Sequence, residues 1–114
     1  MPTYYDPHRA FQQLGDKEIL KLVLKSMMEG LKIKLPLIEK AITTSDSKSL
    51  KLLLHDLKGS VPLLCSEQFQ KELTDSYRLI SIDQDIRLQA NSIYEKLLLF
   101  FAEIEQVIKT NHSV

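Results

Sequence analysis

A chain of 114 residues, 44% hydrophobic and 26% charged, has the size and composition of one globular domain. Its 15 basic and 15 acidic side chains cancel to a formal net charge of zero, which excludes the electrostatic footprint of a protein for duplex nucleic acid or anionic membranes. One cysteine excludes an internal disulfide, no apolar run reaches the roughly 18 residues of a membrane span, and the start lacks signal-peptide features. We therefore predict a single cytoplasmic domain over residues 1–114, with its core between about residues 7 and 110.

The first predicted element is a short helix. Asp6 followed by proline is typical of a helix start, because the carboxylate caps the first turn and proline fits its first position. Gly15 is typical of a helix end. The sequence thus predicts a helix over Pro7–Leu14, with Ala10, Phe11 and Leu14 facing inward.

A long second helix is predicted from Lys17 to about Ile42. Apolar residues recur along this stretch at helical spacing. Gly30 and Pro36 interrupt the pattern, but the apolar stripe keeps its phase across both. We therefore predict one kinked helix rather than two.

The third helix carries the most informative residues. A polar turn over residues 43–47 supplies Asp46 or Ser47 as its cap. The apolar residues of the helix fall on one side: Leu50, Leu53, Leu54, Leu57, Val61 and Leu64. His55 points almost the opposite way at 100° per residue. We predict one helix that continues through Pro62 and shows His55 to water.

Two further helices complete the chain. Ser66 caps a helix that runs to about Ile80, and a turn follows. The last helix extends from about Ile86 to Lys109, and its centre is apolar all round, which predicts that it is the most buried helix. This order favours an all-α fold, an up-and-down antiparallel four-helix bundle with a short additional N-terminal helix.

Charge and open space surround His55 on the third helix. Lys51 lies four residues before it, Lys58 three after and Gly59 four after, on or beside its face. A neutral imidazole nitrogen is a nucleophile for phosphoryl groups, and phosphoryl transfer requires positive charge near the moving oxygens. Glycine inside a helix costs about 1 kcal/mol relative to alanine, so Gly59 suggests room for another protein.

The segment His55-Asp56-Leu57-Lys58-Gly59-Ser60 resembles the His-x-Leu-Lys-Gly-Ser signature of histidine-containing phosphotransfer (HPt) domains, the relay modules of multi-step two-component signalling. The resemblance covers roughly residues 10 to 110. It implies that His55 accepts a phosphoryl group from the aspartyl phosphate of one response-regulator receiver domain, such as that of a hybrid histidine kinase, and passes it to an aspartate on another. Lys58 would stabilise the phosphoryl oxygens.

The same resemblance implies a monomeric phosphocarrier rather than a true enzyme, with no ATP-dependent kinase activity. It implies no cofactor in this chain, because Mg²⁺ belongs to the partner receiver domain. Five residues around His55 form the predicted partner-docking face: Gly59, Lys51, Leu52, Pro62 and Leu63. Their lysine charge favours an acidic partner surface.

The chain departs from the family pattern at several positions near the signature. HPt domains usually carry glycine ten residues after the histidine and often a small or amide residue eight after; here Cys65 and Leu63 occupy those places. Pro62 is uncommon within this helix. HPt domains often carry an amide or acidic side chain on the next helix, near the position that Tyr77 occupies in this chain. That side chain is absent here, and the Tyr77 hydroxyl can stand in for it.

Two alternatives stay open. One is a docking module that binds a histidine kinase or receiver domain through the same face without carrying phosphate. The other is a structural helical bundle in an unrelated complex, in which substitutions of His55 and Lys58 have no effect and substitutions of the exposed leucines do. His8 and His112 lack ligand spacing, so no metal site is predicted, and no glycine-rich phosphate loop occurs.

Overall fold

The computed structural model describes residues 4–82 and 87–110. These residues form five α-helices: α1 (Pro7–Leu14), α2 (Lys17–Thr43), α3 (Ser47–Ser60), α4 (Glu67–Ile82) and α5 (Arg87–Thr110). The predicted all-α class is confirmed. The predicted helix start at Ile86 lies outside the described residues, as does His112. No helix in the described ranges is long and apolar enough to cross a bilayer.

The four long helices contact one another in a closed cycle. Helix α2 packs against α3 and α5, and α4 packs against the same two helices. Each contributes a buried side to the shared core; Leu24, Leu54, Phe69 and Phe100, one from each helix, are 0% exposed. Helix α1 contacts α2 and the connection that follows α3. This burial of one side of each helix is the main source of stability.

Helix α2 is continuous across Gly30 and Pro36, as the phase of its apolar stripe predicted. The Asp16 carboxylate caps its first turn by accepting backbone N–H groups. Seven apolar side chains at helical spacing are buried along its length: Leu20, Leu24, Met27, Leu31, Leu35, Ile38 and Ile42. These contacts hold the helix in one piece although Pro36 removes a backbone hydrogen bond.

Helix α3 ends earlier than predicted. It stops at Ser60, and Pro62 lies in a separate 3₁₀ turn, Val61–Leu63. Proline has no N–H to donate to the carbonyl four residues back, so the α-helical hydrogen-bond ladder ends there. The apolar phase nevertheless continues, because Val61 and Leu64 are both 0% exposed.

Two expectations about burial are wrong. Helix α5 is not the most buried helix: among the described residues α2 has eight buried side chains and α5 has five, and Leu98 and Leu99 on α5 are 40% and 53% exposed. Phe11 on α1, expected to face inward, is 43% exposed. The main helix neighbours of α5 among the described residues are α2 and α4, and the side of α5 that carries Leu98 and Leu99 lies away from the core. Apolar side chains on that side stay in contact with water, as is common at protein surfaces.

The segment before α1 is fixed by α5 and by the connection between α3 and α4. The Glu103 carboxylate on α5 accepts the backbone N–H groups of Tyr4 and Tyr5, each at 2.8 Å. An isolated antiparallel bridge pairs Tyr5 with Cys65. The Arg9 guanidinium donates to the Cys65 carbonyl at 2.8 Å. One carboxylate thus satisfies two part-buried donors that have to be paired away from water.

Replacing Glu103 with alanine is expected to lower the free energy of unfolding by about 1–3 kcal/mol, because both N–H groups lose their acceptor. Urea unfolding followed by circular dichroism measures the change. Glu95→Ala, an exposed carboxylate on the same helix, is the matched control and should stay within about 0.5 kcal/mol of the wild type. An unfolding midpoint for Glu103→Ala equal to that of the control would contradict this role.

Candidate functional site

Asp46 fixes the start of the helix that carries the candidate site. Its carboxylate accepts the Ser49 backbone N–H at 3.1 Å and the Ser49 hydroxyl at 2.7 Å. The hydroxyl bond, then the N–H bond, lowers the pKa of Asp46 below its ordinary value. The negative charge also lies at the positive end of the helix dipole. Asp46, rather than Ser47, is therefore the cap of α3.

The buried side of α3 directs His55 to the surface. Leu50, Leu54 and Leu57 are 0–1% exposed and face α2 and α4. His55 follows Leu54 directly, about 100° further round the helix, and is exposed. The packing of the leucines thus sets the direction in which the imidazole leaves the helix.

Tyr77 on α4 contacts both side chains that the sequence singled out. The His55 and Tyr77 ring centroids are 5.8 Å apart, with the ring planes tilted by 44°. The Lys58 Nζ lies over the same Tyr77 ring, 5.1 Å from its centroid. These separations are typical of an aromatic pair and of a cation–π contact. The structure therefore brings His55 and Lys58 together around one aromatic ring.

Gly59 lies exposed on α3, one turn after His55. A Cβ atom added at Gly59 would meet no atom within 4 Å. The fold itself consequently does not require glycine at this position. On the same side of the helix Lys51 is exposed, and Leu52 is 63% exposed.

Pro62 and Leu63 belong to the 3₁₀ turn rather than to α3. Leu63 is 38% exposed, whereas Pro62 is half-buried and its carbonyl accepts the Gln13 side-chain amide at 3.1 Å. Nothing in the sequence pattern indicated this contact with α1. Cys65 is 0% exposed, and burial raises the pKa of its thiol to about 11. A thiol that stays protonated at neutral pH is a poor nucleophile, so Cys65 packs rather than reacts.

Two open grooves lie at the surface along the contact between α2 and α3. One, of about 360 Å³, is lined by Gly30 on α2 and by Ser60 and Leu63. The other, of about 400 Å³, is bounded by Leu37 on α2 and by Leu52 on α3. Leu37 and Leu52 are 48% and 63% exposed. Neighbouring exposed leucines beside a groove are typical of surfaces that bind another protein.

The arrangement as a whole is suited to nucleophilic chemistry at the surface. An exposed imidazole can attack an electrophilic phosphorus when it is neutral, and an ammonium nearby stabilises anionic oxygens. Among the residues that the structure describes, no group of three or more histidine, cysteine, aspartate or glutamate side chains is placed to hold a metal ion.

Comparison with known proteins identifies no relative of this chain. No family model matches it, and neither a curated protein nor a solved structure matches it significantly.

Acid is expected to weaken the cap on α3. Because the folded-state pKa of Asp46 lies below its ordinary value of 3.8, the charged cap stabilises the fold above that value. The stabilisation is lost as the pH falls through the lowered folded-state pKa. Asn caps helices as well but does not titrate, so the advantage of the wild type over Asp46→Asn should shrink between about pH 5 and about pH 2.

Thermal unfolding across this pH range measures the difference between the two proteins. Asp56→Asn, at an exposed position of the same helix, controls for the loss of one carboxylate. A wild-type advantage over Asp46→Asn that does not vary with pH would show that the charge of the cap is irrelevant.

Proposed function

We propose that this protein is a histidine phosphotransfer protein, which relays a phosphoryl group between aspartates of response-regulator receiver domains through His55. The observation that carries the proposal is the joint placement of His55 and Lys58. Both contact the Tyr77 ring on an exposed face, with open space at Gly59 beside them. His55, Lys58 and Gly59 belong to the signature segment on which the resemblance to HPt domains depends.

The helix order supports the finer architecture that the proposal includes. We take α2 to α5 as an up-and-down antiparallel four-helix bundle and α1 as the short additional helix. The contact cycle among the four long helices fits this architecture. So does the connection between α2 and α3, which is only residues 44–46, because short connections favour antiparallel neighbours.

The proposed relay consists of two displacement steps at phosphorus, one that transfers the phosphoryl group onto His55 and one that transfers it from His55 to the acceptor. The lone pair of a neutral His55 nitrogen forms an N–P bond while the P–O bond to the donor aspartate breaks, and the carboxylate leaves with that electron pair. The ring then carries the phosphoryl group and a positive charge. In the second step a carboxylate oxygen of the acceptor aspartate forms a P–O bond, the N–P bond breaks, and its electron pair returns to His55. Neither ATP nor water is consumed.

Lys58 supplies positive charge to the phosphoryl oxygens during both steps. Charge held near those oxygens is the main requirement of phosphoryl transfer, since little other covalent chemistry is needed. Mg²⁺ is assigned to the receiver domain, and no residue of this chain is assigned to it.

The partner is expected to dock over His55. Gly59 leaves space for a loop, and Lys51 attracts an acidic surface. Leu52 and Leu63 each line one of the grooves between α2 and α3 and offer apolar contacts there. The half-buried Pro62 precedes Leu63 in the 3₁₀ turn and adds apolar surface beside it. The proposal includes that the protein acts as a cytoplasmic monomer and binds one receiver domain at a time.

The exposed leucines also favour a second function. A module that binds a receiver domain or a histidine kinase without carrying phosphate would use the same exposed leucines, Leu52 and Leu63, which are 63% and 38% exposed. Partner binding that survives His55→Gln, together with a wild type that takes no label, would favour this alternative.

Incubation with a radiolabelled phosphorylated receiver domain is expected to place acid-labile, base-stable label on the wild type. His55→Gln should take none, because glutamine has no nucleophilic ring nitrogen. His8→Gln, at an exposed histidine on α1, is the matched control and should label as the wild type does. Label on His55→Gln, or its absence from the wild type, would contradict the proposal.

Side chains added at Gly59 are expected to slow transfer without loss of stability. Gly59→Ala should stabilise the helix by up to about 1 kcal/mol, since a Cβ meets no atom within 4 Å. Gly59→Leu should keep the helicity of the wild type and reduce the transfer rate from a receiver domain more than tenfold, the effect of about 1.4 kcal/mol of lost docking energy.

Single-turnover labelling measures these rates, and thermal unfolding measures stability. Ser92→Leu, at an exposed position of α5, serves as the control for adding a leucine to a helix surface. Equal rates for Gly59→Leu and the wild type would show that clearance at this position is not used.

A further inference from the structure

We propose that Tyr77 is a positioning residue of this site, whose aromatic ring holds the Lys58 ammonium beside the His55 imidazole. The inference rests on the proposed phosphotransfer function and assigns a role that the signature residues do not include. Tyr77 lies on α4, whereas His55 and Lys58 lie on α3. The site is therefore assembled from two helices.

The Tyr77 ring contacts both members of the functional pair, His55 and Lys58. The Lys58 Nζ is 5.1 Å from the Tyr77 ring centroid, inside the distance of about 6 Å at which a cation is attracted by the face of an aromatic ring. The His55 ring centroid is 5.8 Å from the same centroid. One ring thus contacts the proposed nucleophile and the cation that would assist it.

The Tyr77 ring is held more firmly than the side chains it contacts. Tyr77 is half-buried and packs against the hydrophobic core. Leu73 and Ile80, four residues before it and three after it on α4, are 0% and 3% exposed and anchor the helix on that side. Lys58, by contrast, has a long flexible side chain that loses entropy when its ammonium is fixed. The ring consequently provides a fixed point that limits where the ammonium can be.

This role belongs to the ring and not to the hydroxyl. The sequence had suggested that the Tyr77 hydroxyl stands in for an amide or acidic group of HPt domains. A cation–π contact requires only the aromatic face, which phenylalanine also offers. Phenylalanine and leucine at position 77 therefore distinguish the two roles.

The experiment measures single-turnover labelling of His55 with two donors, a phosphorylated receiver domain and the small donor phosphoramidate. Tyr77→Phe is expected to stay within about twofold of the wild-type rate, and Tyr77→Leu to be slower by about two- to tenfold with both donors. Tyr94→Leu is the matched control: Tyr94 is also a half-buried tyrosine packed on the core, but it lies on α5 beside Glu39. Its rate should equal the wild-type rate.

A double-mutant cycle separates positioning from a general structural effect. In the Lys58→Met background, Tyr77→Leu should cause no further slowing, because there is no ammonium left to hold. The upfield ring-current shift of the Lys58 side-chain protons should be present in the wild type and in Tyr77→Phe and lost in Tyr77→Leu. If Tyr77→Leu lowers the melting temperature, Tyr77→Met, which retains apolar volume without a ring, is expected to fold and to show the same slowing.

The outcomes separate the two proposals. A wild type that takes no label on His55 overturns the proposed function. A labelled wild type with Tyr77→Leu equally fast, or with independent effects of Lys58→Met and Tyr77→Leu, overturns the positioning role alone. Slowing of Tyr77→Phe to the rate of Tyr77→Leu would assign the effect to the hydroxyl, and slowing with the receiver domain only would assign it to docking; both also overturn the positioning role.

Discussion

The burial of one face of α3 is the constraint on which the rest of the site depends. Leu50, Leu54 and Leu57 are nearly inaccessible, and each contributes about 1.5–3 kcal/mol by leaving water. Rotation of α3 that hid the imidazole would expose these leucines and lose several times the energy that any single surface contact supplies. The hydrophobic core, rather than a hydrogen bond to His55, therefore decides that the ring faces solvent. The Asp46 cap fixes where that helix begins.

Most of the fold follows from local patterns in the sequence, and the differences arise where local patterns lack information. Apolar phase and caps predict α1 and the continuous α2, because both depend on residues within a turn of one another. The end of α3 differs because Pro62 stops the α-helical ladder while the apolar phase continues. The exposure of Leu99 depends on how many helices surround α5, which is a property of the whole arrangement.

The candidate site likewise contains some features that local sequence patterns predict and others that they do not. Positions of Lys58 and Gly59 relative to His55 follow from helical geometry, because all three lie on one element. The contact with Tyr77 does not, since it joins α3 to α4 and depends on how the two helices are rotated against each other. A spacing of residues within either helix carries no information on that rotation. The sequence placed Tyr77 near the site through its hydroxyl, whereas the contacts with His55 and Lys58 described above are made by its ring.

The choice of an aromatic ring to hold Lys58 has a consequence for the proposed relay. A carboxylate would also hold an ammonium, but it would offset the positive charge that the phosphoryl oxygens require. The face of Tyr77 attracts the ammonium through its quadrupole and carries no net charge, so the cation keeps its full charge. In the proposed relay, this weak attraction would leave Lys58 able to follow the oxygens as the phosphoryl group arrives and leaves. A carrier that has to release its group as readily as it accepts it is better served by such a contact than by a salt bridge.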